Sequence, residues 1–523
     1  MSFQNNIVSI KQVIEQAVNT PSTVAQTKSA WLWQVFAPIL ACQFGRFCLD
    51  SRQVNQGDGF VLLASSSLDE ITSIANANRY LQAIKDKASF VISEIAAEQL
   101  DLCDVSIPVL CVPEIRTVLG DLIAARLQLC QPVSLPMVIA VTGTNGKTTV
   151  SQLIAQLCQA AGIQAAVMGT AGNGRLGALV QAANTTGDVL SVHEFIHQMA
   201  QQGVQVIALE ASSHGLDQYR LQGVPIVAAV YTNLSHDHLD YHADMQAYRA
   251  AKARLFDKAY FPTLSVGVIN HDAEYALFDY TKPCGYELYG YGQQTRTDYR
   301  TKSVEPSLDG VALQIITPQG ELSLHSPLLG LFNVDNLLAS VAVFDRLFAE
   351  HWTDLPALVA NLQGARGRMQ RAKSQLGSFI VDYAHTPDAL VQVLSSLRRH
   401  CTGELIAVFG CGGDRDRSKR MPMTQAGLTH ANKVILTADN PRSEDPLDIL
   451  AQMQEGLKAD DYDKIMVEPD RRAAIELAVR CAGEHDIVVI AGKGHETYQE
   501  INGVRHDFDD LSVLNEFLTK YQK

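Results

Sequence analysis

Val141-Thr142-Gly143-Thr144-Asn145-Gly146-Lys147-Thr148-Thr149 follows the apolar, β-branched run that starts at Met137 and precedes a segment with Val150, Leu153, Ile154 and Leu157 on one helical stripe. The stripe stops at Gly162, a helix stop signal. Strand, glycine-containing loop and helix are the setting a phosphate loop needs. Backbone N–H groups at the helix N-terminus cradle phosphates, Lys147 supplies a point charge, and the Thr148 hydroxyl reaches magnesium. Val141 stands where the common Gly-x-x-x-x-Gly-Lys form has its first glycine. The nearest candidate for a guanine-reading Asn-Lys-x-Asp is Asn432-Lys433-Val434-Ile435, which lacks the aspartate, so ATP is the expected nucleotide.

The same alternation recurs after this loop, while the first 130 residues are less periodic. Runs at Val204 to Leu209, Pro225 to Thr232 and Ser265 to Asn270 read as further strands, and Asn333 to Phe348 as a closing helix. Pro132 and Pro136 set a boundary before the first strand, because proline is disfavoured inside central strands and helices. A second boundary falls near Gly364-Ala365-Arg366-Gly367; beyond it, runs at Ser378 to Val381, Glu404 to Phe409, Lys433 to Thr437 and Asp486 to Ile490 predict another doubly wound unit. The expected fold class is α/β, with a small N-terminal α/β domain over 1–134, a central domain over 135–364 and a third over 365–523, the last two on largely parallel sheets.

Composition narrows the function. The chain has 523 residues, 47% hydrophobic and 19% charged, with a net charge of −14, which excludes disorder and argues against a nucleic-acid or anionic-membrane surface. Met1 to Asn6 is polar, no signal-peptide core follows, and no stretch reaches 18 apolar residues, so a cytoplasmic location is expected. The 10 cysteines never fall as Cys-x-x-Cys and read as reduced thiols without a function.

In open parallel sheets ligands gather beyond the carboxyl ends of the strands, and the polar clusters lie at such ends. They are Glu210-Ala211-Ser212-Ser213-His214, Thr232 to His242, Asp382-Tyr383-Ala384-His385, Gly410 to Arg417, Asp439-Asn440-Pro441-Arg442 and Gly492 to Glu496. The stretch Thr232 to His242 concentrates three histidines and two aspartates, and its predicted closeness to a nucleotide loop favours magnesium over zinc. Lys252 sits four residues after Tyr248 and three and four before Leu255 and Phe256. That spacing reads either as a snorkelling lysine on an apolar stripe or as a water-shielded lysine that carbon dioxide converts to a carbamate ligand for magnesium.

Thr-Gly-Thr-Asn-Gly-Lys-Thr, Glu-x-Ser-Ser-His, Thr-Asn-x-x-x-Asp-His-Leu-Asp-x-His, Leu331-Phe332-Asn333-Val334-Asp335-Asn336, Asp382-Tyr383-Ala384-His385-Thr386-Pro387-Asp388 and Gly410-Cys411-Gly412-Gly413-Asp414-Arg415-Asp416-Arg417 together resemble the Mur ligases of peptidoglycan assembly. The matches run in family order from Leu49 to Glu496. The resemblance implies three domains: a uridine-binding one, a central P-loop ATPase-like one and a Rossmann-like one for the amino acid. It also implies an ATP-dependent ligase that adds a third residue to UDP-N-acetylmuramoyl-L-alanyl-D-glutamate through an acyl phosphate, with hinge closure to exclude water. Gly143, Thr144, Asn145, Gly146, Lys147, Thr148, Thr149, Asn333, Asn336, Arg368 and Asp382 would then hold ATP, with His385 approaching it. Leu49 and Ser51 would contact the uridine end, and Asn184, Thr185, Thr186, Ser212, Gln218 and Arg220 the sugar peptide. Thr148, Glu210, His238 and carbamylated Lys252 carry over to magnesium, and Lys147, Lys252, His238 and His385 to catalysis.

The amino acid would lie on Arg415, Asp439, Asn440, Pro441, Arg442, Gly492 and Glu496. An arginine fork suits a second carboxylate, which meso-diaminopimelate has and L-lysine lacks, so Arg442 points to the former. The alternatives are a lysine-adding member, a folylpolyglutamate synthetase and a nucleotide switch that forms no bond. Partners are expected to be small molecules only, and the chain a monomer. Three departures accompany the resemblance: Ser65-Ser66-Ser67-Leu68-Asp69 where a glycine-containing uridine loop is usual, Gln370 where glutamate is usual, and extra residues from Pro21 to Ala41.

Overall fold

The computed structural model describes residues 7–523 apart from 66–68, 183, 236, 240, 281–282, 295 and 308. The chain divides into two compact units, one running up to Tyr291 and taking in Ala339–Ala349, the other Gly292–Leu338 with Glu350–Lys523. Among the described residues no helix is long and apolar enough to cross a membrane.

After the strand Val8–Ser9 and the helix Ile10–Asn19, the first unit forms a four-stranded parallel sheet, Phe47–Cys48, Gly59–Leu62, Phe90–Ser93 and Val109–Cys111. The extra segment from Pro21 to Ala41 forms the short helices Val24–Thr27 and Ser29–Val35 and a turn at Ala37–Ile39. It sends Ala25, Leu32, Phe36 and Ile39 into the core beside that sheet.

Next comes a larger sheet: β1 Met137–Thr142, then helix α1 Lys147–Ala160, β2 Ala165–Gly169, α2 Val189–Gln201, β3 Val206–Glu210, β4 Ile226–Tyr231, α3 Met245–Ala253 and β5 Val266–Asn270. The strands lie in the order β5-β4-β1-β3-β2, all parallel. Parallel strands covered on both faces need continuous apolar runs, and β1, β3 and β4 are buried almost throughout. Register sets Val141 beside both Glu210 and Val230, so the loops leaving β1, β3 and β4 start side by side. β1 is the switch point between the two directions of winding.

In the second unit β6 Ser378–Asp382, α4 Pro387–Arg398, β7 Leu405–Phe409, α5 Arg420–His430, β8 Lys433–Leu436, α6 Arg471–Cys481 and β9 Ile487–Ala491 build a sheet in the order β6-β9-β7-β8, again parallel. The expected closing helix is found at Phe332–Leu347. An antiparallel meander, Tyr299–Ser307, Gly310–Thr317 and Gly320–Ser326, was not anticipated from the sequence. Beneath the loops after β8 and β9, the fully buried Arg471 pairs with Asp510 at 2.7 Å and donates to Ala491 O at 2.9 Å.

Candidate active site

The loop after β1 is clamped from β4. Thr144 N donates to Asn233 O at 2.8 Å, Asn145 N to Asn233 Oδ1 at 2.9 Å, and Thr232 Oγ1 to Asn145 O at 2.6 Å. Asn145 N–H is therefore committed to the protein, and the open N–H groups of the first turn of α1 are left as the donor surface. Gly143 holds φ +152°, and a Cβ there would collide with Thr232 Oγ1, so only glycine lets the loop pass so close to β4.

Two lysines converge on one carbonyl. Lys147 Nζ donates to Gly143 O at 2.9 Å and Thr144 O at 2.8 Å, while Lys252 Nζ, from α3, donates to the same Gly143 O at 2.8 Å. Lys252 is 1% exposed and lies 4.5 Å from the Tyr248 ring, so the snorkelling reading does not hold: its head is enclosed. Burial first, then the Lys147 charge, hold its pKa well below the usual lysine value against the weaker pull of Asp237, and the charged form is disfavoured.

Glu210, at the end of β3, links this loop to the next set of expected residues. Its Oε1 accepts from Thr148 Oγ1 at 2.9 Å and Thr170 N at 2.8 Å. Thr170 Oγ1 donates to Glu210 Oε2 at 3.2 Å and lies 3.0 Å from Thr185 Oγ1. Thr186 Oγ1 donates to Glu210 O at 2.8 Å and accepts from Ser212 N at 3.0 Å. Arg220 donates to Thr186 O at 2.9 Å and to Gln218 Oε1 at 2.7 Å, and Gln218 reaches the Tyr241 hydroxyl at 3.1 Å. Thr185, Thr186, Ser212, Gln218 and Arg220 thus form one network with Thr148 and Glu210. Asn184 is exposed beside it. No described contact ties Leu49 or Ser51 to this set, and 66–68 of the expected uridine loop lie outside the described residues.

His238 has φ +55°, an uncommon backbone for histidine, and its ring stands 5.0 Å from His214 and 5.9 Å from Tyr248. His236 and Asp240 of the same cluster lie outside the described residues. Among the described residues no three His, Cys, Asp or Glu side chains converge on a metal position. Magnesium does not require such a cage, because it usually takes one or two carboxylates plus waters and substrate phosphates, and Glu210 with Thr148 supplies that kind of donor set.

In the second unit, buried Asn333 and Asn336 bond to each other at 2.8 Å, and Asn333 Nδ2 also donates to Leu329 O at 2.7 Å. Asp382 ends β6 and accepts from Met369 N and Ala384 N, both at 2.7 Å, while burial raises its pKa. Arg368 lies over the Tyr383 ring at 4.5 Å, and its buried Nε has no protein partner among the described residues. His385 packs on the other ring contacts of Tyr383 at 4.7 Å. Gln370 closes this turn, accepting from Gly367 N at 2.7 Å through Oε1, an atom glutamate would also offer.

The loop after β9 joins that after β8, and the loops after β7 and β8 meet around Gly412. A Cβ on it would stand 2.9 Å from Arg442 Nη1 and 3.7 Å from Arg415 Cγ, so the two arginines flank this glycine. Arg442 donates to Gly413 O at 2.7 Å, while the carboxylate of Glu444 is taken by Arg417 at 3.1 Å and Arg420 at 2.9 Å. Asn440 Nδ2 donates to Glu496 Oε2 at 2.9 Å, and Gln499 Nε2 to Asp439 O at 2.7 Å. Gly413 packs against Pro441, and Gly492 against Asp439. Asn233, Thr170, Tyr248, Lys493 and Arg471 hold these sites and were given no role from the sequence. Asn233 and Lys493 fall inside the strand-end clusters and Tyr248 stands four residues before Lys252, whereas Thr170 and Arg471 carry no local signal.

Residues 141–344 match the Mur ligase middle domain and 367–494 the Mur ligase glutamate ligase domain. A UDP-N-acetylmuramoyl-L-alanyl-D-glutamate--2,6-diaminopimelate ligase of Coxiella burnetii is 39% identical over 90% of this chain and 94% of its own. The ligase of that name from Vibrio cholerae is 38% identical over 96% and 99%. A solved structure of a ligase so named superposes with a TM-score of 0.69 and 43% identity, covering 92% of this chain and 96% of that one. With the phosphate loop, the strand-end clusters and these likenesses in agreement, the chain belongs to the Mur ligase family.

Proposed function

We propose that this chain is an ATP-dependent ligase that joins meso-2,6-diaminopimelate to UDP-N-acetylmuramoyl-L-alanyl-D-glutamate in peptidoglycan precursor synthesis. The observation that carries the reading is the hydrogen-bonded path Thr148–Glu210–Thr170–Thr185, which joins the phosphate loop to the sugar-peptide residues. A γ-carboxylate held by Thr185, Thr186, Ser212 and Arg220 would then face a phosphate held at the N-terminus of α1. The carboxylate oxygen attacks the γ-phosphorus and ADP leaves. The amine of the amino acid then attacks the acyl carbon, and phosphate leaves. Such transfers ask a protein mainly for positioning and charge neutralisation, which Lys147 and the helix N-terminus supply.

Thr148 and Glu210 would hold Mg2+, with His238 and carbamylated Lys252 adjoining it; the ion would neutralise phosphate charge. The unprotonated Lys252 nitrogen can attack carbon dioxide and lose a proton to give the carbamate. In the second unit Asn333, Asn336, Arg368, Asp382 and His385 would face ATP, and Arg442 with Arg415 the distal carboxylate of the amino acid. The working divisions are 1–134, 135–364 and 365–523, and the chain acts as a monomer.

The test supplies ATP and the muramoyl dipeptide with equal concentrations of meso-diaminopimelate and L-lysine. The expected result is diaminopimelate product with one ADP and one phosphate per bond. Predominant lysine product would overturn the specificity, and phosphate release that ignores both substrates would overturn the ligase reading.

A further inference from the structure

Lys493 lies between Gly492 and Glu496, and its side chain is 0% exposed. Burying an ammonium is costly unless it is paired and hydrogen-bonded, and this one is both. Nζ donates to Asn440 Oδ1 at 3.1 Å and to Glu496 Oε2 at 3.1 Å, and stands 5.4 Å from the Tyr498 ring. A lysine only donates, so its contact with Oδ1 decides which way the Asn440 amide faces. That oxygen also accepts from Glu500 N at 2.9 Å, which leaves the Asn440 NH2 to bond Glu496 Oε2 at 2.9 Å. Both donors thus grip one oxygen of Glu496, and Oε1 has no protein partner among the described residues. The loop after β8 and the loop after β9 are fastened together through this triad, above the Arg471–Asp510 pair.

We propose that Lys493 is a positioning residue for amino-acid selection: it locks Asn440 and the inner oxygen of Glu496 so that the outer oxygen receives the distal ammonium of the substrate. This rests on the reading that Glu496 takes that ammonium. Without Lys493 the Asn440 amide is free to rotate and Glu496 loses its aim, while the phosphate loop lies in the other unit and does not depend on this triad.

The probes are meso-diaminopimelate and 2-aminopimelate, which keeps the distal carboxylate and lacks the distal amine. Lys493→Met is expected to lower kcat/KM for diaminopimelate by about 30-fold, the scale of a lost charge-assisted hydrogen bond, mainly through KM. KM for the muramoyl dipeptide, whose residues lie in the first unit, stays unchanged, and the preference over 2-aminopimelate collapses. In a Glu496→Gln background the same substitution adds less than about threefold, because the two act as one unit. An equal loss on both amino acids, or full additivity with Glu496→Gln, overturns the proposal. If Glu496→Gln alone leaves the preference intact, the ammonium reading fails instead. Lys493→Gln, which keeps a donor toward Asn440, undergoes the same tests should the methionine variant not fold; collapse of both variants would make Lys493 a stability residue and overturn the proposal.

Discussion

Among the described residues two lysines are enclosed, one in each unit, and their surroundings differ. Lys493 meets a carboxylate and an amide oxygen and is hydrogen-bonded to both within a lattice of side chains. Lys252 meets a carbonyl and an aromatic face, with Lys147 on the same carbonyl and no ion pair to a carboxylate among the described residues. Burial without a counter-charge disfavours the protonated amine, whereas burial with one fixes it. The first arrangement keeps a lysine reactive. The second makes a lysine a fixed donor that positions its neighbours.

The strongest test removes the charge beside Lys252. Lys147→Ala should lower ligation by ~10³-fold or more, since the transferring phosphoryl group loses its nearest cation. Normal ADP and product formation by that variant would remove the phosphate-loop assignment. Lys252→Ala should follow at ~10²–10³-fold, with partial recovery on adding acetate or formate, which substitute for carbamate oxygens. The contrast with the second unit is sharp here, because Lys493→Met should not respond to either salt. Carboxylate rescue of both variants, or of neither, would erase the distinction between the two lysines.

Arg442 sharpens the comparison inside the second unit, where it forms no ion pair with a carboxylate among the described residues. Arg442→Ala should lose ~10²-fold in kcat/KM for meso-diaminopimelate and much less for L-lysine, because only the former brings a carboxylate to the guanidinium. Equal losses on both amino acids would mean that the arginine supports the loop and does not read the substrate. Its φ of +51°, shared in kind with His238, Met369 and Asp414, marks backbone held in an uncommon conformation at loops of the site.

The parts of this molecule legible in the sequence were those written locally. Val138 to Val141 with the following glycines gave strand, loop and helix, and the apolar runs before Glu210, Asp382, Asp439 and Gly492 placed every later cluster at a strand end. Depth was not legible: the stripe through Tyr248, Lys252 and Phe256 does not distinguish an enclosed ammonium from one reaching water. Nor were partners distant in the chain, such as Asn233 on the phosphate loop or Asp510 on Arg471, for which no local rule exists. The meander was obscured by its own polarity. Tyr299–Ser307 carries Lys302, Glu305 and Pro306, and a proline in a polar run argues against a strand unless the whole hairpin is seen.

The smallest effect expected carries the same rule to an acid. Asp121 is buried where the Pro21–Ala41 segment meets the larger sheet's flank; its Oδ2 accepts from Ala25 N at 2.8 Å and Gln222 Nε2 at 2.9 Å. Neither partner is charged. His193, whose Nε2 lies 2.8 Å from Gln222 O, is pushed by burial to about 4 and offers no positive charge at neutral pH. Burial raises Asp121 from 3.8 to about 6, against the pull of hydrogen bonds from Ala25, Gln222 and Val24. Between these values the native state keeps a proton that the unfolded chain has released, so stability falls as pH rises through that window and levels off above it. The full loss is at most about 3 kcal/mol. Asp121→Asn removes the titration, so its melting temperature relative to the parent should climb by several degrees between pH 4 and pH 7, with ligation at neutral pH little changed. A difference that stays flat over that range would mean that Asp121 is ionised throughout, and that burial without a counter-charge does not govern ionisation in the first unit. The account of Lys252 would then lose its physical basis as well.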